Sequence, residues 1–235
     1  MTGKSFQWPL QRRSFLTRLS AGVAAFAAGA AGGGATAEAQ STANARWQPG
    51  RHELDDWMDN VPGKHRLIFD TVTAEGFGLA LPFSNNYYTA NQTGYGLKDS
   101  DLAVIIVARH NSTPFAFNDA MCAKYGVQIA QRANFSDPKT KAAPNSNPYN
   151  ASDYGDALAN RGVTLDTVLK HEVQFAVCQL ATRAYARAIA MAVGADADSI
   201  FNEITANLLS NSHLVPAGIV AVNRAQERGY SFVHA

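Results

Sequence analysis

The most continuous apolar run in the chain is Leu102-Ala-Val-Ile-Ile-Val-Ala108, closed by Asp101 before it and Arg109-His110 after it. Neither of its alternating faces is polar. That pattern predicts a parallel strand buried on both sides. Branched and aromatic residues mark a second strand at 65–72, His65-Arg-Leu-Ile-Phe-Asp-Thr-Val72, and shorter ones at 173–178, 213–216 and 230–233. Helical patterns fall between them. They cover Leu81 to about Gly94, with Pro82 confined to the first turn, then Pro114 to Tyr125 with a stop at Gly126. Further helices are predicted at Thr164–Lys170, 181–193, 197–209 and Gly218–Arg228. Alternation of this kind predicts an α/β fold: an open, mainly parallel five-stranded sheet with helices on both faces. Residues 134–153, rich in Asn, Pro, Lys and Ser, read as a mobile surface excursion.

The first residues follow a different pattern. Arg12-Arg13-Ser-Phe-Leu-Thr-Arg18 precedes an uncharged run from Leu19 to Ala37 and a small-residue site at Ala37-Glu-Ala39. This is the form of a twin-arginine export signal, which predicts processing after Ala39 and a periplasmic mature protein. Glycines at 22, 29, 32, 33 and 34 make the run a poor helix for a bilayer core, so stable membrane insertion is not expected. Processing would remove four of the 20 basic residues (Lys4, Arg12, Arg13, Arg18) and one of the 19 acidic ones (Glu38), leaving 16 against 18. A balance of −2 argues against a nucleic-acid partner, which calls for a basic stripe. Residues 40–63 read as a linker or arm with a short helix near Glu53–Asp59, pinned by Trp47 and Trp57. The folded domain is then 64–235.

Candidate chemistry is sparse. The six histidines show no metal-ligand spacing, so no metal site is predicted. No GxGxxG follows a strand and no CxxCH occurs, so no cofactor is predicted. Two cysteines, Cys122 and Cys178, are too few for a disulfide scaffold. In an open parallel sheet ligands sit beyond the carboxyl ends of the strands. Arg109, His110 and Asn111 follow one strand there, Cys178 and Gln179 another, and Pro216, Ala217 and Gly218 a third. Cys178 stands just before a helix, whose unpaired N–H groups and Arg183 favour a thiolate. The plain alternative is a small buried hydrophobe at a strand end. His110 either shares a proton with the thiol or bonds its own turn. Thr182 and Arg183 either hold an anion at the helix start or serve the helix alone. Cys122, placed two turns into its helix, reads as buried.

Four segments resemble the DsrE/DsrF-like family. Lys64-His-Arg-Leu-Ile-Phe69 is similar to its first strand, and Val107-Ala-Arg-His110-Asn-Ser-Thr-Pro-Phe to its second strand and His-bearing turn. Phe175-Ala-Val-Cys178-Gln-Leu-Ala-Thr-Arg183 is similar to its strand–cysteine–helix unit. Val215-Pro-Ala-Gly through Gln-Glu-Arg-Gly-Tyr230-Ser-Phe-Val resembles its ending. The matches run in order over about residues 64–235, with Asn111 standing where the family usually has Gly. The resemblance implies a DsrE/flavodoxin-like three-layer fold and a homo-oligomer, for which Phe83, Tyr87, Tyr88 and Tyr95 are interface candidates. It also implies a sulfur-handling role, with Cys178 as acceptor, His110 beside it, and a sulfur-donor or acceptor protein as partner. A non-enzymatic binding module with a structural cysteine, and a redox role through a Cys122–Cys178 disulfide, stand beside that reading.

Overall fold

The computed structural model describes residues 48–235. The export signal read over 1–39 and the anchoring role read for Trp47 lie outside the described residues. Strands β1 (His65–Thr71), β2 (Leu102–Ala108), β3 (Gln174–Cys178), β4 (Ser212–Val215) and β5 (Ser231–His234) form one sheet in the order β4-β3-β2-β1-β5. Every neighbouring pair is parallel. The apolar run is the central strand and is buried along its whole length.

Alternation along β2 divides the core in two. Val104, Ile106 and Ala108 join Phe69, Phe175 and Val177 on one face. Ala103, Ile105 and Val107 join Ile68, Ala176 and Val215 on the other. The register confirms the layers, since Ile106 lies opposite both Phe69 and Phe175. The second face is lined by α1 (Trp57–Asn60), and the first by α2 (Ala74–Tyr95), α3 (Asp119–Ala133), α4 (Leu165–Lys170), α5 (Gln179–Val193) and α6 (Ala197–Thr205). Helix α7 (Gly218–Gln226) completes the second face with Ala221, Val222 and Ala225.

One long helix does not cover the second face, and the arm fills the gap. Met58 is fully buried there. Its carbonyl accepts from Arg66 Nη1 at 3.1 Å and from the Tyr230 hydroxyl at 2.9 Å. Trp57 stacks on His213 with ring centroids 3.9 Å apart.

Two helices differ most from the sequence expectation, and α6, expected to run to residue 209, ends at Thr205. Helix α2 starts at Ala74 rather than Leu81, because Thr73 caps it by accepting the Gly76 N–H at 2.9 Å. Pro82 therefore sits inside the helix. Gly78, which weakens the sequence signal for a helix, is demanded by packing: a Cβ there would lie 2.7 Å from the Tyr149 ring. After β2, residues His110–Ala116 form a 3-10 helix holding Pro114. The α-helix begins only at Asp119, capped by Asn118, and continues through a kink at Tyr125 to Ala133 instead of stopping at Gly126. Cys122 is thus in its first turn.

The 134–153 excursion is anchored. Asp137 accepts the N–H groups of Lys139 and Thr140, both at 2.8 Å. Asn147 Nδ2 bonds the carbonyls of Phe115 and Phe117 at 2.8 and 2.9 Å. Tyr149 is buried against Phe77 and Phe115, and its hydroxyl donates to the Ala74 carbonyl. The segment closes the first core face.

Candidate functional site

Strand β3 feeds α5 over the first face, whereas its neighbour β4 feeds α7 over the second. Adjacent strands whose connections diverge leave a crevice at their carboxyl ends. A cleft of about 360 Å³ opens there. Cys178, Leu180 and Ala181 wall it from the β3–α5 junction, and Ala217, Gly218 and Ile219 from the β4–α7 junction.

Cys178 ends β3 and caps α5. Its Sγ accepts the Ala181 N–H at 3.5 Å, and its carbonyl accepts the Thr182 hydroxyl at 2.9 Å. The side chain is 7% exposed yet faces the cleft. A helix N-terminus leaves donors unpaired, and here one of them meets sulfur.

The β2 side is fixed by a buried hydroxyl pair. Thr71 Oγ1 donates to the Val107 carbonyl at 2.7 Å. Ser112 Oγ donates to the Thr71 carbonyl at 2.8 Å and accepts the Arg109 N–H at 2.9 Å. This knot holds His110 in the left-handed region, φ 56°, with its imidazole exposed at the cleft. The Asn111 N–H bonds the Val72 carbonyl at 3.0 Å.

Arg109 makes a two-pronged pair with Asp70, Nε to Oδ1 at 2.6 Å and Nη2 to Oδ2 at 2.7 Å. That hydrogen bond holds the guanidinium above its ordinary range. Burial opposes it, while negative charge at Asp70 pushes the same way. The arginine stem lies on the start of α7: a Cβ on Gly218 would meet Arg109 Cβ at 2.6 Å and Cδ at 2.9 Å.

Of the residues singled out in the sequence, Cys178, His110, Arg109 and Asn111 converge on the cleft. Gln179 is half-buried outside its wall. Thr182 is buried under the helix start, bonded back to Cys178. Arg183 turns toward α6, bonding Asp198 at 3.1 Å with its guanidinium 4.0 Å over the Phe201 ring. Cys122 lies elsewhere, 4% exposed; burial first, then nearby Asp119, pushes its thiol up to about 12. Both thiols are free.

Three contributors escaped the sequence reading. Asp70 is the partner of Arg109. Arg132, near the end of α3, lines the cleft with its guanidinium 5.0 Å over the Tyr185 ring. Tyr185 completes that wall, 1% exposed, and its hydroxyl has no hydrogen-bond partner among the described residues. Burial raises the phenol above its ordinary range, opposed by Arg132. Tyr185 was detectable: it stands seven residues after Cys178, two helical turns on the same side. Arg132 gave no such signal, since the helix that carries it was expected to end before it.

No family model matches the chain, and no curated protein matches it. Among solved structures, it is similar to a protein of unknown function from Methanobacterium thermoautotrophicum at 14% sequence identity and a TM-score of 0.35, over 73% of this chain and 100% of that one.

Proposed function

We propose that this chain is a DsrE-like sulfur carrier, exported by the twin-arginine route to the periplasm, in which Cys178 accepts and passes on a sulfane sulfur. The observation that carries the reading is Cys178 Sγ at the head of α5, accepting the Ala181 N–H inside an open cleft. The ordered resemblance of the strand–cysteine–helix and terminal segments to the DsrE/DsrF-like family supports it. In the loading step the Cys178 thiolate attacks the outer sulfur of a persulfide donor, R–S–SH. A new S–S bond forms to Cys178, the donor's S–S bond breaks, and R–S⁻ leaves with the electron pair. The proton stays on the transferred sulfur, which is now the terminal one. Charge is conserved and no oxidant is needed. His110, exposed at the rim of the same cleft, would exchange that proton with solvent or with the leaving thiolate.

The test is intact-protein mass spectrometry after incubation with polysulfide or thiosulfate. The wild type and Cys178→Ala should differ, the first gaining the mass of one sulfur and the second none. Cys122→Ser should keep the gain. A second reading, a binding module with a structural cysteine, is favoured by the low exposure of Cys178; it becomes the better one if the wild type takes up no sulfur.

The same proposal includes self-assembly. Exposed Phe83 and Tyr95 on α2, and Phe232 and Val233 on the edge strand β5, are apolar surface available for it. Tyr88 belongs to the interior, stacked on His171 at 4.5 Å, and Tyr87 packs edge-on to it. Sedimentation should give more than a monomer, and Phe83→Ser should weaken the assembly.

A further inference from the structure

We infer that the cleft beside Cys178 binds a small organic anion, its acid group held by Arg132 and the Tyr185 hydroxyl and its apolar body lying against Leu180 and Ile219. This names the class of molecule that meets Cys178. It needs the cleft but not the sulfur chemistry.

Charge comes first. Two arginines reach the wall, and they are not equivalent. Arg109 is neutralised by its two-pronged bond to Asp70. Arg132 forms no ion pair among the described residues, and its one described partner is the face of Tyr185. No carboxylate lines the cleft among the described residues. The groups facing it that can carry charge are the two arginines, His110, Cys178 and Tyr185. Its balance with a neutral thiol is therefore positive, and the N-terminal end of α5 adds to it.

The second observation is independent of charge. Tyr185 is 1% exposed, and its hydroxyl makes no hydrogen bond among the described residues. Buried hydroxyls in native proteins are nearly always bonded, so an orphan in a cleft wall points to a ligand. A phenol held neutral by burial is a donor, and its natural partner is an acceptor oxygen. Arg132 stands over the face of the same ring, 5.0 Å from its centroid.

The mouth gives the rest of the ligand. Leu180 and Ile219, 64% and 58% exposed, flank it from the two diverging helices. Exposed aliphatics beside a positive site suit a short hydrocarbon body rather than a bare inorganic ion. With the acid end at Arg132 and Tyr185, the body would have Ala181 and Ala184 beside it, which line the same cleft.

The experiment is calorimetric titration of the purified full chain at low salt with butanesulfonate, and with butanol as its neutral counterpart. Saturable binding of butanesulfonate is expected, with butanol about tenfold weaker or worse. Arg132→Gln should lose about tenfold in affinity, and Tyr185→Phe, which keeps the ring, about threefold or more. Arg187→Gln removes an exposed charge from the same helix outside the cleft and should bind like the wild type. Absence of saturable binding to the wild type overturns the inference. So does unchanged affinity in Arg132→Gln or Tyr185→Phe, or an equal loss in Arg187→Gln. Butanesulfonate has no transferable sulfur, so failure here and failure of sulfur uptake at Cys178 are read separately.

Discussion

Replacing Asp70 by Asn tests what holds the cleft open. Asp70 ends its side chain 5% exposed, and Arg109, which bonds it through two atoms, is 26% exposed. Asn keeps the volume and one acceptor but turns a donor amide toward a guanidinium. Removing one partner of a buried pair costs about 3–5 kcal/mol, chiefly by leaving the other charge uncompensated. Water reaches a quarter of Arg109, so part of that cost is screened. We expect about 2–3 kcal/mol. His234, 3.6 Å from the carboxylate and 57% exposed, contributes little beside this. Urea unfolding of wild type and Asp70→Asn at neutral pH measures the loss, with an unchanged slope showing that the two-state ensemble is the same. The decisive control is Arg109→Met. In that background the orphaned charge is gone, and Asp70→Asn should cost less than about 1 kcal/mol. A loss of equal size in both backgrounds would refute the claim that the pair, rather than Asp70 alone, is what matters. A loss under about 0.5 kcal/mol in the wild-type background would refute it more simply.

Other consequences are as direct. In the native protein Cys178, which faces the cleft, should alkylate before Cys122. A thiol pushed from 9.0 up to about 12 is a thiolate about a thousandfold less often near neutral pH, so equal labelling rates in a mass-spectrometric time course would contradict the burial of Cys122. Gly218→Ala should cost about 1–3 kcal/mol in urea unfolding, because its Cβ would overlap the Arg109 stem and approach Val107 Cγ1 at 3.0 Å; a neutral result would mean that α7 slides freely on β2. His213, stacked on Trp57, has its imidazole held below the ordinary 6.5 by burial. The unfolded chain then takes up the proton first as pH falls through 6.5, and stability drops with it. His213→Gln should remove that part of the pH dependence of Tm below 6.5, and an unchanged profile would show that protonation there costs nothing.

The sheet was legible because its signal is local. A strand buried on both faces needs apolar residues at every position, and 102–108 supplies them. Cys178 was legible for the same reason, at the seam of an apolar strand and an alanine-rich helix. What stayed hidden depends on contacts between distant segments. Gly78 and Pro82 weaken any local case for a helix before Leu81; the helix exists because Thr73 caps it and Tyr149, seventy residues on, fills the space a Cβ would take. Gly126 reads as a stop, yet a Cβ there would lie 2.3 Å from the Pro144 carbonyl, so the close approach of the excursion calls for glycine inside a continuing helix. Misplacing that helix end removed Arg132 from view, and with it the charge that distinguishes the cleft.

The cleft itself follows from one choice of topology. Had the chain after β4 returned over the same face as α5, the two helix starts would pack side by side and Cys178 would be sealed between them. Instead α7 crosses to the second face, where a thin layer of Met58, Ile105 and Val215 accepts it, and Gly218 lets its first turn close on Arg109. That crossing bares the end of β3. The same crossing commits Arg109 to Asp70 as the wall between the faces, leaving Arg132 and Tyr185, whose side chains have no hydrogen-bonded partner among the described residues, as the pair to which the inferred anion is assigned. Access to Cys178 is therefore tied to the packing of α7, and a substitution that loosens α7 from Arg109 should alter thiol labelling at Cys178 while leaving Cys122 as it was.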